Sequence, residues 1–352
     1  MPEAPKDREV ALVLAGGNAL GAYHLGVAEA LREAGVEPGM LVGCSIGAVT
    51  GAILAGNAPE DRLDRLRAFW RTAAQPDHPA FGARDEEARA RRGTEQALSA
   101  FLFGRPGLFG HRMPGPWSML PLIGPDVALR DHAPLARTLE RLIDFDRLNR
   151  GEPTFRFVAL DMETGEEVWF DNRRDRIEPR ALLAATALAP LFPPVEIEGR
   201  LLCDAGFANN LPVDDVFREP PARDLLCIAA DLFDLRGARP RGLSGAAARA
   251  QDLMFASQTR RAIDAIGREQ TLRRRLDPDG PSATLAHLAY RAPGHERGTK
   301  ALDYSRASLA QRAERGRADM QRMLPRLESA NGHFTYLFEP EAGPPDGPPA
   351  SG

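Results

Sequence analysis

A serine between two glycines is the feature that most constrains how this chain can fold. Residues 43–47 read Gly-Cys-Ser-Ile-Gly, between an apolar run that ends at Val42 and a run of small residues at 48–56. This pattern predicts a strand, a sharp turn and a helix, which is the setting of a nucleophile elbow. Gly43 and Gly47 are expected because a serine in such a turn has a strained, crowded backbone. Ser45 would lie at a helix N-terminus, where negative charge is favoured. An ordinary tight turn is the other interpretation.

A glycine-rich loop precedes this serine turn. The apolar run 10–15 predicts a buried parallel strand, which leads into Gly16, Gly17 and Asn18 and then into a helix. Backbone N–H groups in a loop without Cβ atoms can approach an oxyanion closely, so these three residues are candidates for an oxyanion hole. A dinucleotide loop would need glycine at position 18 and an acidic residue after the second strand, and neither is present. The repeated strand–loop–helix order predicts a parallel sheet.

The candidate base for the serine is Asp204. It follows apolar residues 201–203 and precedes a turn-rich segment, so it is expected at the carboxyl end of a strand, where open α/β sheets place their active sites. Apolar surroundings can raise an aspartate pKa from about 4 towards neutrality, which would let Asp204 accept the serine proton directly. None of the seven histidines has the loop context of a triad histidine, and His24 is better explained by packing. A turn or capping aspartate is the alternative for Asp204.

Composition narrows the class of protein. The chain has 352 residues, of which 43% are apolar, and a net charge of −4, so it can bury a full core and has no global basic surface for nucleic acid. Its three cysteines lie in apolar stretches and show neither a disulfide framework nor a zinc spacing, so no metal or cofactor is expected. The sequence shows neither a signal-peptide pattern nor an apolar run long enough to span a membrane, so we expect a cytoplasmic protein. Peripheral contact with a membrane is the alternative that stays open.

Two segments have both a lipid-binding and a structural interpretation. Residues 101–123 are apolar and aromatic but broken by Pro and Gly, so they form either a loop that enters a lipid interface or one packed over the core. The predicted helix at 246–276 carries arginines that face either phospholipid headgroups or solvent. Residues 1–8 and 338–352 are expected to be disordered, since the first are polar and the second mostly Pro and Gly.

Several motifs, in the same order, resemble the patatin-like phospholipase family. They are the glycine loop at 16–21, the serine turn at 43–47, the segments 159–165 and 184–195, and Asp204-Ala205-Gly206 followed by Asn210 and Pro212. The resemblance covers about residues 10–217. It implies a three-layer α/β/α fold with a mainly parallel central sheet and a helical C-terminal extension like that of some bacterial members. Accordingly we expect a catalytic domain at 9–217 and an extension at 218–337 packed on it.

The resemblance also implies lipid acyl hydrolysis by a Ser–Asp dyad without histidine. Ser45 would attack the ester carbonyl, Asp204 would take its proton, and N–H groups of Gly16, Gly17 and Asn18 would hold the oxyanion. The expected substrate is a lipid or phospholipid ester, and no cofactor is implied. The sequence does not determine the oligomeric state.

Three positions depart from the family's usual pattern. Asn18 stands where a third glycine is usual, Leu20 where an arginine or lysine is frequent, and Ala205 where a glycine usually follows the aspartate. Asparagine tolerates positive φ better than most residues. Alanine at a positive φ would cost about 1 kcal/mol and shift the carboxylate. These departures support the alternative of a weak or inactive patatin-like protein that binds lipid or a partner.

Overall fold

The chain forms a central, mostly parallel sheet with helices on both faces. The structure is a computed structural model that describes residues 8–76, 86–240, 242–330 and 332–339. Its strands are β1 (Glu9–Leu14), β2 (Met40–Cys44), β3 (Gly110–His111), β4 (Arg130–Asp131), β5 (Thr154–Asp161), β6 (Glu167–Asp171), β7 (Val195–Ile197), β8 (Arg200–Asp204), β9 (Leu225–Asp231), β10 (Ala283–Ala289) and β11 (Phe334–Glu339). Its helices are α1 (Ala22–Glu33), α2 (Ile46–Ala55), α3 (Arg62–Ala73), α4 (Glu86–Phe103), α5 (Ala133–Leu142), α6 (Phe145–Leu148), α7 (Pro179–Ala185), α8 (Val213–Phe217), α9 (Gly242–Leu276) and α10 (Arg306–Glu328).

The main sheet has the strand order β11-β10-β9-β1-β2-β5-β8-β7, and β6 pairs with β5. The six strands from β11 to β5 are parallel to their neighbours, whereas β6, β7 and β8 pair antiparallel. β1 lies between β2 and β9 and is covered on both faces, which explains its continuous apolar sequence. The expected fold class, a mainly parallel α/β sheet with a helical C-terminal region, is confirmed.

Helices pack on each face of this sheet. On one face α2 lies so close to β5 that Gly51 abuts the Phe155 ring. On the other face the ring of Phe217, in α8, packs edge-on against Phe334 of β11 at a centroid distance of 6.2 Å. No helix in the described ranges is long and apolar enough to cross a membrane.

The region after residue 217 extends the same sheet. β9 pairs with β1, and β10 and β11 continue beyond it, while α10 packs against α1. The approach is so close that a Cβ on Gly26 would lie 1.7 Å from the carbonyl oxygen of Ala313. Sequence analysis did not identify β11, and it began the C-terminal tail at residue 338, although Phe338 and Glu339 end this strand. Residues 1–7 and 340–352, where disorder was expected, lie outside the described ranges.

Two strands end against each other on one edge of β5. β2 pairs parallel with the first half of β5 and ends with Cys44 opposite Val158. β8 pairs antiparallel with the second half and ends with Asp204 opposite Ala159. β6 pairs with residues 156–160 of β5 and therefore occupies the opposite edge of that strand. β2 and β8 must then both lie along the same remaining edge of β5. The carboxyl ends of both strands therefore meet.

Candidate active site

The serine turn has the strained geometry that its sequence predicts. Ser45 has φ 53° and ψ −123°, and its carbonyl accepts hydrogen bonds from the N–H groups of Ala48 and Val49 as α2 begins. A Cβ on Gly47 would lie 2.0 Å from the carbonyl oxygen of Leu14, and one on Gly43 would lie 2.5 Å from the carbonyl carbon of Gly47. Only glycine fits at either position, which leaves the Ser45 backbone fixed at the end of β2.

The glycine loop lies directly beside Ser45. A Cβ on Gly16 would stand 3.0 Å from the Ser45 Cβ, so the missing side chain makes room for the serine. Gly16 donates its N–H to the carbonyl of Asn210, at 3.0 Å. Among the described residues, no hydrogen bond uses the N–H of Gly17 or of Asn18. Asn18 adopts φ 50°, the left-handed conformation that asparagine tolerates.

Asp204 is buried at the end of β8, with only 2% of its surface exposed. The Cys44 thiol, at 3.8 Å, and the Gly206 N–H, at 2.8 Å, both donate hydrogen bonds to its Oδ1, and the Ser45 side chain also favours the ionised carboxylate. Burial raises the pKa of Asp204 from 3.8 to about 6, because desolvation outweighs these stabilising hydrogen bonds. The carboxylate therefore is a stronger base than an exposed aspartate and is still ionised at neutral pH.

The departures at Leu20 and Ala205 are both accommodated. Ala205 begins a 3₁₀ helix, Ala205–Phe207, and is not among the residues with positive φ, so the anticipated backbone strain does not arise. Its methyl group packs with Cys44 and Val158. Leu20 is fully buried in the main core, where an arginine or lysine would be desolvated.

The structure places no described histidine in hydrogen-bonding contact with Ser45 or Asp204. His24 is buried, and its Nε2 lies 3.3 Å from the carbonyl oxygen of Ala230. Desolvation lowers the His24 pKa to about 3, so the ring is neutral. The interpretation of His24 as a packing residue agrees with this environment. Burial raises the pKa of the Cys44 thiol well above its usual value, and the thiol is therefore also neutral.

A contiguous apolar loop at residues 113–127 follows α4. Between Met113 and Pro125 it contains no charged residue, and its large exposed side chains are Met113, Trp117, Met119, Leu120, Leu122, Ile123 and Val127. A bidentate contact of Arg112 with Asp126 closes the base of the loop. Within the 101–123 stretch, Leu108 and Phe109 pack in the core, whereas the part from Met113 onward exposes apolar side chains.

This apolar loop is tied to the segment next to Asp204. The N–H groups of Leu129 and Arg130 donate to the carbonyls of Pro190 and Leu191, each at 2.9 Å. The same segment supplies the carbonyl of Ala187, which accepts the Asp204 N–H at 3.1 Å. The root of the loop is therefore continuous with the backbone that holds the carboxylate.

Two further residues connect parts of the site. Asn210 was identified only as part of a motif, yet its Nδ2 donates to the Gly16 carbonyl at 3.2 Å and its own carbonyl accepts the Gly16 N–H. Gln258, in α9, contacts the loop that follows Asp204, and sequence analysis missed it. No local pattern distinguishes Gln258 from other polar residues of a long helix, because its partners lie about 50 residues away in sequence.

Comparison with known proteins identifies the family. The patatin-like phospholipase family model matches residues 12–217. The lysophospholipase nte1 of Aspergillus fumigatus is 27% identical over 215 residues, which cover 59% of this chain and 11% of that protein. An uncharacterized NTE family protein of Mycobacterium tuberculosis is 30% identical over 210 residues, which cover 58% of this chain and 44% of that protein. The chain thus spans less than half the length of these curated relatives.

Among solved structures, VipD from Legionella pneumophila shares 15% sequence identity with this chain at a TM-score of 0.42, and the match covers 92% of this chain and 68% of VipD. The mostly parallel sheet and the strained serine at the end of β2 define an α/β protein with the strand–turn–helix geometry in which nucleophile elbows occur. Within that class, the chain belongs to the patatin-like phospholipase family, since the family model covers more than half of its length.

Proposed function

We propose that this protein is a lipid acyl hydrolase that cleaves carboxylic esters through a Ser45–Asp204 dyad and an acyl-enzyme. The observation that carries the proposal is the pairing of a strained serine with a buried, hydrogen-bonded aspartate whose pKa is raised to about 6. Membership of the patatin-like phospholipase family supports lipid esters as the substrate class.

In the proposed reaction, the Ser45 hydroxyl oxygen attacks the ester carbonyl carbon while its proton passes to the Asp204 carboxylate. The carbonyl oxygen becomes an oxyanion, which the unengaged N–H groups of Gly17 and Asn18 stabilise. Gly16 contributes by its missing side chain, since its N–H is already donated to Asn210. The tetrahedral intermediate collapses, and the leaving alcohol takes the proton from Asp204.

Deacylation uses the same two residues, with water as the nucleophile and Ser45 as the leaving group. Asp204 accepts a proton from a water molecule, whose oxygen attacks the acyl carbonyl carbon of the Ser45 ester. The second tetrahedral intermediate collapses, the Ser45 oxygen leaves and recovers the proton, and the carboxylic acid departs. The site needs no histidine in this scheme because the raised pKa makes Asp204 a suitable base near neutral pH.

The exposed apolar loop at 113–127 supports an aggregated lipid surface as the location of the substrate. Soluble monomers rarely expose so large a contiguous apolar patch without a binding function. The root of the loop joins the backbone segment that holds Asp204, so a surface bound there would adjoin the site. Peripheral contact with phospholipid is therefore included in the proposed function.

Hydrolysis of short p-nitrophenyl esters and of phospholipid vesicles by the wild type, Ser45→Ala and Asp204→Asn tests this proposal. Both variants should lose more than about 10³-fold in kcat/KM on both substrates. Matched surface controls are Ser329→Ala and Asp64→Asn, and these should keep wild-type rates. Equal rates in all five proteins would exclude the dyad. A folded wild type that is inactive on both substrates and fails to react with an organophosphonate would identify a non-catalytic lipid or partner-binding protein.

A further inference from the structure

The long helix α9 of the C-terminal region contacts the loop that carries Asp204. We define the aspartate loop as residues 204–210. Phe255 and Gln258, one helical turn apart on α9, both face it. The Phe255 ring packs on Phe233 at a centroid distance of 4.6 Å, and its Cε1 lies 3.8 Å from where a Gly206 Cβ would be. The helix therefore closes one side of the aspartate loop.

The Gln258 amide hydrogen-bonds to the loop at three points. Its Oε1 accepts the Asn210 N–H at 3.1 Å. Its Nε2 donates to the carbonyls of Gly206 and Phe207, both at 3.3 Å. One side chain thus joins the first turn of the loop to its last residue, and it uses both the acceptor and the donor of the amide.

These three points control the two halves of the candidate site. The Gly206 N–H donates to Asp204 Oδ1, so the position of Gly206 sets the orientation of the carboxylate. Asn210 exchanges hydrogen bonds with Gly16, so the position of Asn210 sets the location of the glycine loop. Gln258 therefore contacts both the residue that donates to the carboxylate and the residue that anchors the glycine loop.

We propose that Gln258 is a positioning residue that holds Asp204 and the glycine loop in register with Ser45, so that α9 is a working part of the catalytic site. This inference rests on the proposed hydrolase function. To make these contacts, the side chain at position 258 must be as long as glutamine and must carry one hydrogen-bond acceptor and two donor hydrogens. Glutamate would place a carboxylate against two carbonyl oxygens, and methionine would keep the shape but make none of the three bonds.

Kinetics of Gln258→Met and Gln258→Glu on a short soluble ester test the positioning role. A misplacement of about 1 Å in a catalytic group costs on the order of 10²-fold in rate. We expect kcat to fall by about 10-fold to 100-fold in Gln258→Met and further in Gln258→Glu, with KM changed less than about threefold. Thr271→Glu, at an exposed position of the same helix, adds the same charge without a described contact to the aspartate loop and should keep the wild-type kcat.

The pH profile separates a positioning role from a purely structural one. Cys44 on β2 and Cys203 on β8 interact electrostatically with Asp204, and Glu167 on β6 interacts with Cys44. The pKa values of both thiols are raised by burial, so these cysteines stay neutral. Arg260 and Arg261 lie next along α9. A carboxylate at position 258 would disfavour ionised Asp204, so the acid limb of kcat/KM should move to higher pH in Gln258→Glu but not in Thr271→Glu.

Amide hydrogen exchange tests the same inference without catalysis. In Gln258→Met, exchange should rise in the aspartate loop and at residues 15–18 while the other strands stay as protected as in the wild type. A wild-type kcat and acid limb in both variants, or an increase of exchange spread evenly over the chain, would overturn the positioning role. A wild type without hydrolase activity would instead refute the proposed hydrolase function. The hydrogen-exchange comparison would then still show whether Gln258 holds the aspartate loop and the glycine loop in place.

Discussion

Cys44 and Asp204 end two strands that approach from opposite directions and pair with adjacent residues of β5, Val158 and Ala159. This register brings the residue after Cys44, which is Ser45, next to the Asp204 carboxylate. Cys44 and Asp204 are separated by 160 positions in sequence, yet their pairing partners on β5 are consecutive residues. The proposed dyad is therefore positioned by sheet pairing rather than by a flexible loop.

The pH dependence of activity follows from the burial of Asp204. Its pKa is raised to about 6, and only the ionised form can accept the serine proton. We expect kcat/KM for a soluble p-nitrophenyl ester to be constant above this pH and to fall about tenfold per unit below it. A pH–rate profile checks this. A rate that stays constant down to the usual aspartate range would show that Asp204 is not the base.

Burial of the same carboxylate should lower stability at neutral pH. Because its pKa is raised in the folded state, the folded protein binds the proton more tightly, so the free energy of unfolding falls as pH rises from about 4 to about 6. A difference of about two units corresponds to about 3 kcal/mol. Asp204→Asn should therefore gain stability relative to the wild type as pH rises. Urea unfolding of both proteins at about pH 4 and pH 8 measures the change; an unchanged difference would contradict it.

Gly47 should tolerate no side chain. In Gly47→Ala the new Cβ would lie 2.0 Å from a backbone carbonyl of β1, so the start of α2 and the end of β1 would have to move apart. We expect a loss of about 3 kcal/mol or more in unfolding free energy. Gly39→Ala is the matched control, since nothing lies within 4 Å of its Cβ position, and it should unfold at the wild-type urea concentration. Similar unfolding of the two variants would refute the crowding.

Arg312 of α10 should be a major stabilising residue. It is fully buried, pairs with Glu296 at 2.9 Å and donates to the carbonyls of Ala19, Lys300 and Asp303. Arg312→Met would leave the Glu296 carboxylate and three carbonyls without this partner, at a cost of about 3–5 kcal/mol. Arg317→Met removes an exposed ion pair with Glu33 and should cost about 1 kcal/mol or less. Urea unfolding compares the two; equal losses would exclude the proposed contribution.

The apolar loop should matter only for aggregated substrates. Met119→Asp and Leu122→Asp place a charge where the proposed lipid contact is made, so each should weaken binding to phospholipid vesicles about tenfold or more. Hydrolysis of a soluble ester should be unchanged, because neither residue contacts Ser45 or Asp204 in the described structure. Vesicle sedimentation measures binding, with Leu243→Asp, at another highly exposed leucine outside the loop, as the control. Unchanged binding in both loop variants would exclude this surface.

Local sequence was sufficient for much of the fold. Residues 43–47 predicted a strand, a strained serine and a helix because the crowding at Gly43 involves Gly47 and Ala48, which the turn itself brings together. The turns at Gly165 and Gly199 are local in the same way, and both glycines have positive φ. The crowding of Gly47 against Leu14 of β1 arises only in the folded sheet. The family resemblance over 10–217 agrees with the family match at 12–217. The strand β11, an alternating Phe-Thr-Tyr-Leu-Phe segment, was missed because the adjoining Pro and Gly residues dominated the interpretation.

The sequence by itself determined the strand–turn–helix around Ser45, the parallel α/β class and the candidates Ser45 and Asp204. Tertiary structure alone decided that β2 and β8 share one edge of β5, that Asn210 occupies the Gly16 N–H, and that Gln258 of α9 braces the aspartate loop. The physical reason is the separation in sequence over which each interaction acts. Turn crowding and hydrophobic periodicity act between near neighbours, whereas strand register and amide contacts join residues that only the folded sheet brings together.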